Sequence, residues 1–216
     1  MPLDSKLTGK LPIIGQERYP RAQGAPNSVV GRLGSHSTAE LSDLVGRLYT
    51  MTPEIVPLYP ACPRLVGRAV TVRTSRGDNQ AVKQAVDDIQ SGDVLVIDAQ
   101  GFTGWCSGGY SMLRSATIGG KLAGLLVNGA YRDRTEFEIA QLPIFGITWS
   151  PATGPKLGPG QINVPVNCGG VVVHPGDTIV ADGQGVVVIP AEHSEFVADR
   201  ADAKAAALAA GRHSID

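Results

Sequence analysis

The chain is poor in the residues that usually mark a redox or zinc site. Its three cysteines (Cys62, Cys106, Cys168) lie far apart and form no CxxC pair. A reduced, cytoplasmic setting is expected rather than a disulfide framework. The four histidines (His36, His174, His193, His213) show no HExxH or other zinc spacing. Any metal is therefore expected to be a hard, oxygen-ligated ion such as Mg²⁺ or Mn²⁺. Aromatic residues make up only 5% of the chain, too few for a base-stacking surface. A net charge of −1 and a pI near 6.4 give no electrostatic ground for binding nucleic acid or an anionic membrane. No apolar run reaches the ~18–20 residues of a membrane span. The start, MPLDSKLTGKLP, lacks the charged and apolar regions of a secretory signal.

What is present is core-forming sequence. Of 216 residues, 43% are hydrophobic and 18% charged, enough for one sizeable domain. Residues 1–35 carry glycine, proline and polar residues without sustained periodicity and read as an N-terminal arm. The remainder, 36–216, reads as a single domain. Ser37 followed three residues later by Glu40 makes a capping box. Leu41, Leu44, Val45 and Leu48 then recur at helical spacing, with Asp43 off that stripe. A strand is expected over 65–72, an amphipathic helix over 81–89, and buried strands over 94–98 and 123–127 with a helix over 111–119 between them. A helical turn over 135–140 and a strand over 143–148 follow. The Gly/Pro-rich stretch 151–160 reads as a loop. Short β-runs separated by turns at Pro175-Gly176-Asp177 and Asp182-Gly183 come next, and an Ala-rich helix over 192–210 closes the chain. Strand–helix alternation followed by a β-meander predicts a mixed α/β domain.

The chemistry gathers between Ser91 and Glu136. Two apolar strands there end in polar sequence, and the carboxyl edge of an open α/β sheet is where ligands bind. Arg132-Asp133, with Glu136 three residues on, is the leading candidate. A guanidinium grips carboxylates through paired hydrogen bonds, and two nearby carboxylates hold a divalent ion directly or through its waters. The same pair also describes an ordinary ion pair. The loop Gly101–Gly109, with four glycines in nine residues, permits close backbone approach ahead of a helix start near Ser111. Tight packing accounts for it equally. Asp98 ends a buried strand, as an acid near the site or as a loop cap, and Asp78-Asn79 sit in a turn. Cys106 has no histidine partner in sequence, and Lys156 has no apolar setting that would mark a Schiff-base lysine.

The run GDN, GDVLVIDAQG, AGLLVNGAYRD, GGVVVHPGD and ADGQGVVVIP resembles the RraA-like family. That family includes 4-hydroxy-4-methyl-2-oxoglutarate (4-carboxy-4-hydroxy-2-oxoadipate) aldolases and regulators of ribonuclease E activity. The likeness covers roughly residues 37–190. It implies a compact α/β/α sandwich related to swivelling β/β/α domains, with a β-rich C-terminal half, a terminal helix, and assembly as a homotrimer or homohexamer. It also implies a divalent-metal-dependent lyase that cleaves 4-hydroxy-2-oxo acids to pyruvate and decarboxylates oxaloacetate. A ribonuclease regulator is the alternative. The resemblance further implies that Arg132 and Asp133 are catalytic, that Asp133 and Glu136 position Mg²⁺ or Mn²⁺, and that the backbone around Gly109, Tyr110, Ser111 and Met112, with Arg132, holds the 2-oxo acid. Asp98, Asp78 and Asn79 would lie near the pocket. The family usually has glycine at the position of Ser111, and here Gly108 and Gly109 stand just before it.

Overall fold

In a computed structural model, residues 14–211 are described; the start of the chain and His213 lie outside them. Helices α1 (Asn27–Gly34) and α2 (Thr38–Val45) lead into the short strand β1 (Val56–Pro57) and then β2 (Leu65–Thr74). Three strand–helix steps follow: α3 (Gln80–Ala85), β3 (Asp93–Phe102), α4 (Arg114–Thr117), β4 (Leu122–Tyr131), α5 (Arg134–Ala140) and β5 (Ile144–Trp149). The remainder is β6 (Gly160–Ile162), β7 (Val166–Cys168), β8 (Val171–Val173), β9 (Thr178–Asp182), β10 (Gly185–Ile189) and α6 (Ser194–Ala209).

The main sheet has the order β1-β5-β4-β3-β2-β9-β10, with β6 also pairing β2. Strands β2 to β5 are mutually parallel, and each is neighbour to the next in sequence. Right-handed crossovers that always step in one direction place every crossover helix on the same face. Alternation along the strands agrees. Val70, Val72, Leu95, Ile97, Leu125 and Val127 pack with α3, α4 and α5 in one cluster. Their neighbours Ala69, Val94, Val96 and Leu126 face the β7–β8 hairpin on the other side. Helices α1, α2 and α6 cover the β9–β10 end through Leu33, Leu41, Val180, Val187 and Val197. The expected mixed α/β architecture is thus present, in the β/β/α order of its two descriptions. Each fully buried Leu, Ile or Val here contributes roughly 1.5–3 kcal/mol.

Several local expectations shift. The lead-in read as an arm contains α1, whose Val29 and Leu33 are buried. The boundary drawn near residue 36 falls between α1 and α2, which cover the same end of the sheet. Leu48 is 85% exposed because α2 stops at Gly46, where φ is +80° and the apolar stripe ends. The helix expected over 111–119 is a 3₁₀ turn, Tyr110–Leu113, followed by the single turn α4. The helix expected over 81–89 divides into α3 and the 3₁₀ turn Val86–Asp88. Strand β3 runs to Phe102, so part of the glycine loop is strand.

Two carboxylates, one buried and one half-buried, fasten the frame. Asp93, at the start of β3, is wholly buried and receives two hydrogen bonds from Arg21, both at 2.5 Å. The capping box at Ser37 forms with both of its hydrogen bonds. Asp182 receives the Thr38 amide and hydroxyl at 3.0 and 2.6 Å, tying α2 to β9. Burial raises the Asp182 pKa, but the hydrogen bonds from Thr38 and Gln184 outweigh it, and the net shift is downward from 3.8. A depressed carboxyl stabilises the fold above its unfolded value and ceases to as pH falls through the folded one. In urea unfolding, Asp182→Asn should therefore be less stable than wild type at neutral pH. The gap should close as the medium is acidified below the ordinary Asp value. A gap that stays constant with pH would remove the charge from the argument.

Candidate active site at the carboxyl edge of the sheet

Because β2 to β5 run parallel, their carboxyl ends meet at one edge. Beyond Phe102 the chain turns out and returns alongside β4. The Ser107 amide donates to the Ala130 carbonyl at 2.9 Å, and Gly109 pairs with Arg132 in a parallel bridge. That pairing sets the glycine loop directly against the Arg-Asp element. A Cβ at Gly109 would overlap the Asp133 carboxylate and lie 3.0 Å from Arg132 Nε. A Cβ at Gly108 would lie 2.7 Å from the Tyr131 hydroxyl. Glycine is required at both positions by close approach, whatever ligand the loop takes.

Asp133 adopts a left-handed conformation (φ +69°, ψ +46°) as the residue preceding α5. Such a conformation is costly outside glycine and is characteristic of functional sites. It stops β4 abruptly, while the Asp133 carbonyl accepts from the Glu136 and Phe137 amides to start the helix. Arg132 and Asp133 lie 3.6 Å apart, Nε to Oδ1, too long for a hydrogen bond. Arg132 Nε is buried without a partner. The Glu136 side chain is exposed and carries no internal bond, and Asp133 has no partner besides Arg132. This group is open to a ligand. The carbonyl of Gly109 accepts from the Met112 amide at 3.0 Å. That bond holds the 3₁₀ turn of Tyr110, Ser111 and Met112 beside Arg132.

The other acids expected near the pocket are already engaged. Asp98 accepts from the Gln100 amide at 2.8 Å, the Asn128 side chain at 3.5 Å and the Asn167 amide at 3.3 Å. It fastens β3 to β7. Asp78 accepts from the amides of Gln80 (2.8 Å), Leu157 (2.7 Å) and Gly158 (3.0 Å), anchoring the Gly/Pro loop. The Asn79 amide donates to Pro155, and its buried side-chain oxygen has no partner. Cys106 is fully buried and held by the Ala152 carbonyl at 2.7 Å. Among the described residues no three His, Cys, Asp or Glu side chains cluster as a metal site. A divalent ion here would rest on Asp133 and Glu136 and complete its shell with water and substrate. That mixed shell suits Mg²⁺.

Two residues that sequence reasoning did not single out also belong to this edge. Tyr131 and Ser107 are wholly buried, and both hydroxyls lack partners. Burial pushes the Tyr131 phenol well above its ordinary range, so it stays neutral. Tyr131 is visible in sequence as the residue before the Arg-Asp pair. Its orphaned hydroxyl is not, since that depends on Gly108 lying against it.

The molecule is an α/β protein whose parallel sheet gathers an arginine, two carboxylates and a close-packed glycine loop at its carboxyl edge, a candidate ligand site. The description "RraA-like: Aldolase/RraA" matches residues 38–188, and the chain belongs to that family. It is 41% identical over 170 residues to a Halalkalibacterium halodurans protein provisionally named a 4-hydroxy-4-methyl-2-oxoglutarate aldolase, covering 78% of this chain and 80% of that one. It is 30% identical over 162 residues to a Thermus thermophilus protein named 4-hydroxy-4-methyl-2-oxoglutarate aldolase, covering 71% and 92%. Among solved structures it resembles the RNA-processing inhibitor RraA from Thermus, with a TM-score of 0.63 and 29% identity over 72% of this chain and 93% of that one. It also resembles Streptomyces coelicolor RraAS2, a member of the RNase ES inhibitor RraA family, with a TM-score of 0.74 and 27% identity over 90% and 100%. No helix of the described residues is long and apolar enough to cross a membrane.

The geometry gives a direct test of the glycine loop. Gly109→Ala is expected to displace the Asp133 carboxylate and lower turnover at this edge about a hundredfold, as for a misplaced catalytic group. Circular dichroism should report an unchanged fold. Unaltered turnover would show that the loop does not shape the site.

Proposed function

We propose that the protein is a divalent-metal-dependent lyase that cleaves 4-hydroxy-2-oxo acids to pyruvate and a second carbonyl compound, and that also decarboxylates oxaloacetate. The observation that carries this reading is the set of Arg132 and Asp133, pressed against Gly109, with the exposed Glu136 three residues on, none of them engaged by other protein groups. The names of the aldolase relatives support it.

Arg132 holds the carboxylate and 2-oxo oxygen of the substrate in a planar grip. The backbone at Gly109, Tyr110, Ser111 and Met112 closes around the same end. Asp133 and Glu136 would hold Mg²⁺ or Mn²⁺, which when bound would supply Lewis-acid polarisation of the 2-oxo group. A carboxylate or water base on this edge accepts the 4-hydroxyl proton. The C3–C4 bond then breaks, its electron pair passing to the pyruvate half as C4 becomes a carbonyl. Arg132 stabilises the enolate oxygen as charge develops there, the electrostatic contribution that usually dominates such steps. Protonation at C3 gives pyruvate. Loss of carbon dioxide from oxaloacetate passes through the same enolate, so one site accounts for both reactions.

A second reading follows from the structural relatives, whose names describe inhibitors of RNA processing. In that reading the chain binds a ribonuclease, and the edge group is a remnant. A coupled assay of pyruvate release with and without EDTA, beside a ribonuclease pull-down, separates the two. Arg132→Ala and Asp133→Ala are each expected to lower turnover at least about a thousandfold, the scale of removing a principal charge-stabilising group. EDTA should abolish activity and Mg²⁺ restore it. Near wild-type turnover in either variant would sink the assignment.

A further inference from the structure

A second cationic group stands on the same edge, two strands away. By strand alternation, Arg73 on β2, Asp98 on β3 and Asn128 on β4 lie on the side facing β7 and β8, and Arg132 stands one residue past the end of β4, beyond the register shift between Val127 and Ala130. The register aligns Arg73 with Asp98 and Asp98 with Asn128. Asp98 is the natural acid partner for Arg73, but three other protein groups occupy it. Arg73 is exposed and has neither a salt bridge nor a hydrogen bond from its side chain. It lines a cleft of about 340 Å³ with Thr74, Ser75, Gln100 and Gln161. Gln100 is held in the left-handed region (φ +58°), its side-chain amide donating to the Thr74 carbonyl at 2.9 Å. Glu17, a neighbouring acid, accepts from Gln161 Nε2 at 2.7 Å and makes no ion pair with the arginine.

We propose that Arg73 receives the distal carboxylate of a dicarboxylic 2-oxo acid whose 2-oxo end is held by Arg132. The inference rests on the lyase reading for the role of Arg132 and assigns the residue that meets the substrate's second carboxylate. Two strand spacings separate β2 from β4, about 10 Å. Arg132 lies four residues beyond the aligned row. Those four residues add about 13 Å along the strand, a separation that two arginine side chains with a five-carbon diacid between them are long enough to bridge. A guanidinium without an internal partner gains most from a bidentate carboxylate. Ile14 and Pro159 also line the cleft, so the preference for a charged end comes from Arg73 itself rather than from the wall.

Titration calorimetry of the full chain in Mg²⁺ buffer, with pyruvate and with 2-oxoglutarate, tests this. Wild type should bind 2-oxoglutarate more tightly than pyruvate. Arg73→Gln should weaken 2-oxoglutarate about tenfold, the scale of one charge-assisted contact, and leave pyruvate unchanged. Arg73→Lys should fall between. Equal loss for both ligands, no loss for either, or no preference in the wild type would overturn the proposal. The lyase reading is judged separately by pyruvate release. A chain that binds 2-oxoglutarate through Arg73 but cleaves no hydroxy-oxo acid loses the lyase and keeps the carboxylate site. One that cleaves its substrate with Arg73→Gln equal to wild type keeps the lyase and loses the site.

Discussion

The bridge between Gly109 and Arg132 is the contact on which the functional edge depends. It forms only because neither Gly108 nor Gly109 carries a side chain, since the spaces a Cβ would fill are held by the Tyr131 hydroxyl and the Asp133 carboxylate. The loop therefore lies flat against the end of β4. Asp133 takes its left-handed turn at the same point, so that only Arg132 and Asp133 separate the end of β4 from the start of α5. Backbone strain of this kind costs about 1–3 kcal/mol and persists only where the surroundings enforce it. Here the enforcing elements are β4, buried on both faces, and Phe137, fully buried at the first turn of α5.

Around that contact the edge is stiffened by hydrogen bonds that leave Arg132, Asp133 and Glu136 unengaged. Trp105 packs against Gly77 and Gly154 and sits edge-on to Phe102 at 4.8 Å between centroids. Through it the glycine loop, the turn after β2 and the Gly/Pro loop support one another. Asp78 fastens the last of these by two amides. The loops that surround the site are thus braced by the protein itself, which lowers the ordering cost of binding.

Much of this could be read from residues alone, and the limits have physical causes. The parallel strands were legible because runs such as Val94–Ile97 and Leu125–Val127 are buried on both faces and leave no alternation to misread. The Arg-Asp pair was legible because a strand end followed by charge is a strong local pattern. Helix lengths were less so. The chain near 111–119 closes only one α-helical turn before the glycines at 119 and 120 take positive φ, although its composition suits a longer helix. Helix α1 escaped because only Val29 and Leu33 mark its buried face, after a proline that gives no side-chain cap. Arg73 escaped because its lack of a partner depends on where Asp98 sends its oxygens, a tertiary fact no spacing encodes.

The acids of the edge are sorted by the same accounting of lone pairs. A carboxylate whose oxygens both accept amide hydrogens is held in one orientation and has its best acceptor directions filled. Asp98 and Asp78 are in that state, and each joins a loop to the sheet. Asp133 and Glu136 accept no hydrogen bond from the protein, and they begin a helix whose amino end favours anions and acidic side chains. Chemistry that needs an acid with free lone pairs therefore falls to the pair that follows Arg132. The acids that resemble them in sequence hold the frame in which that pair is presented.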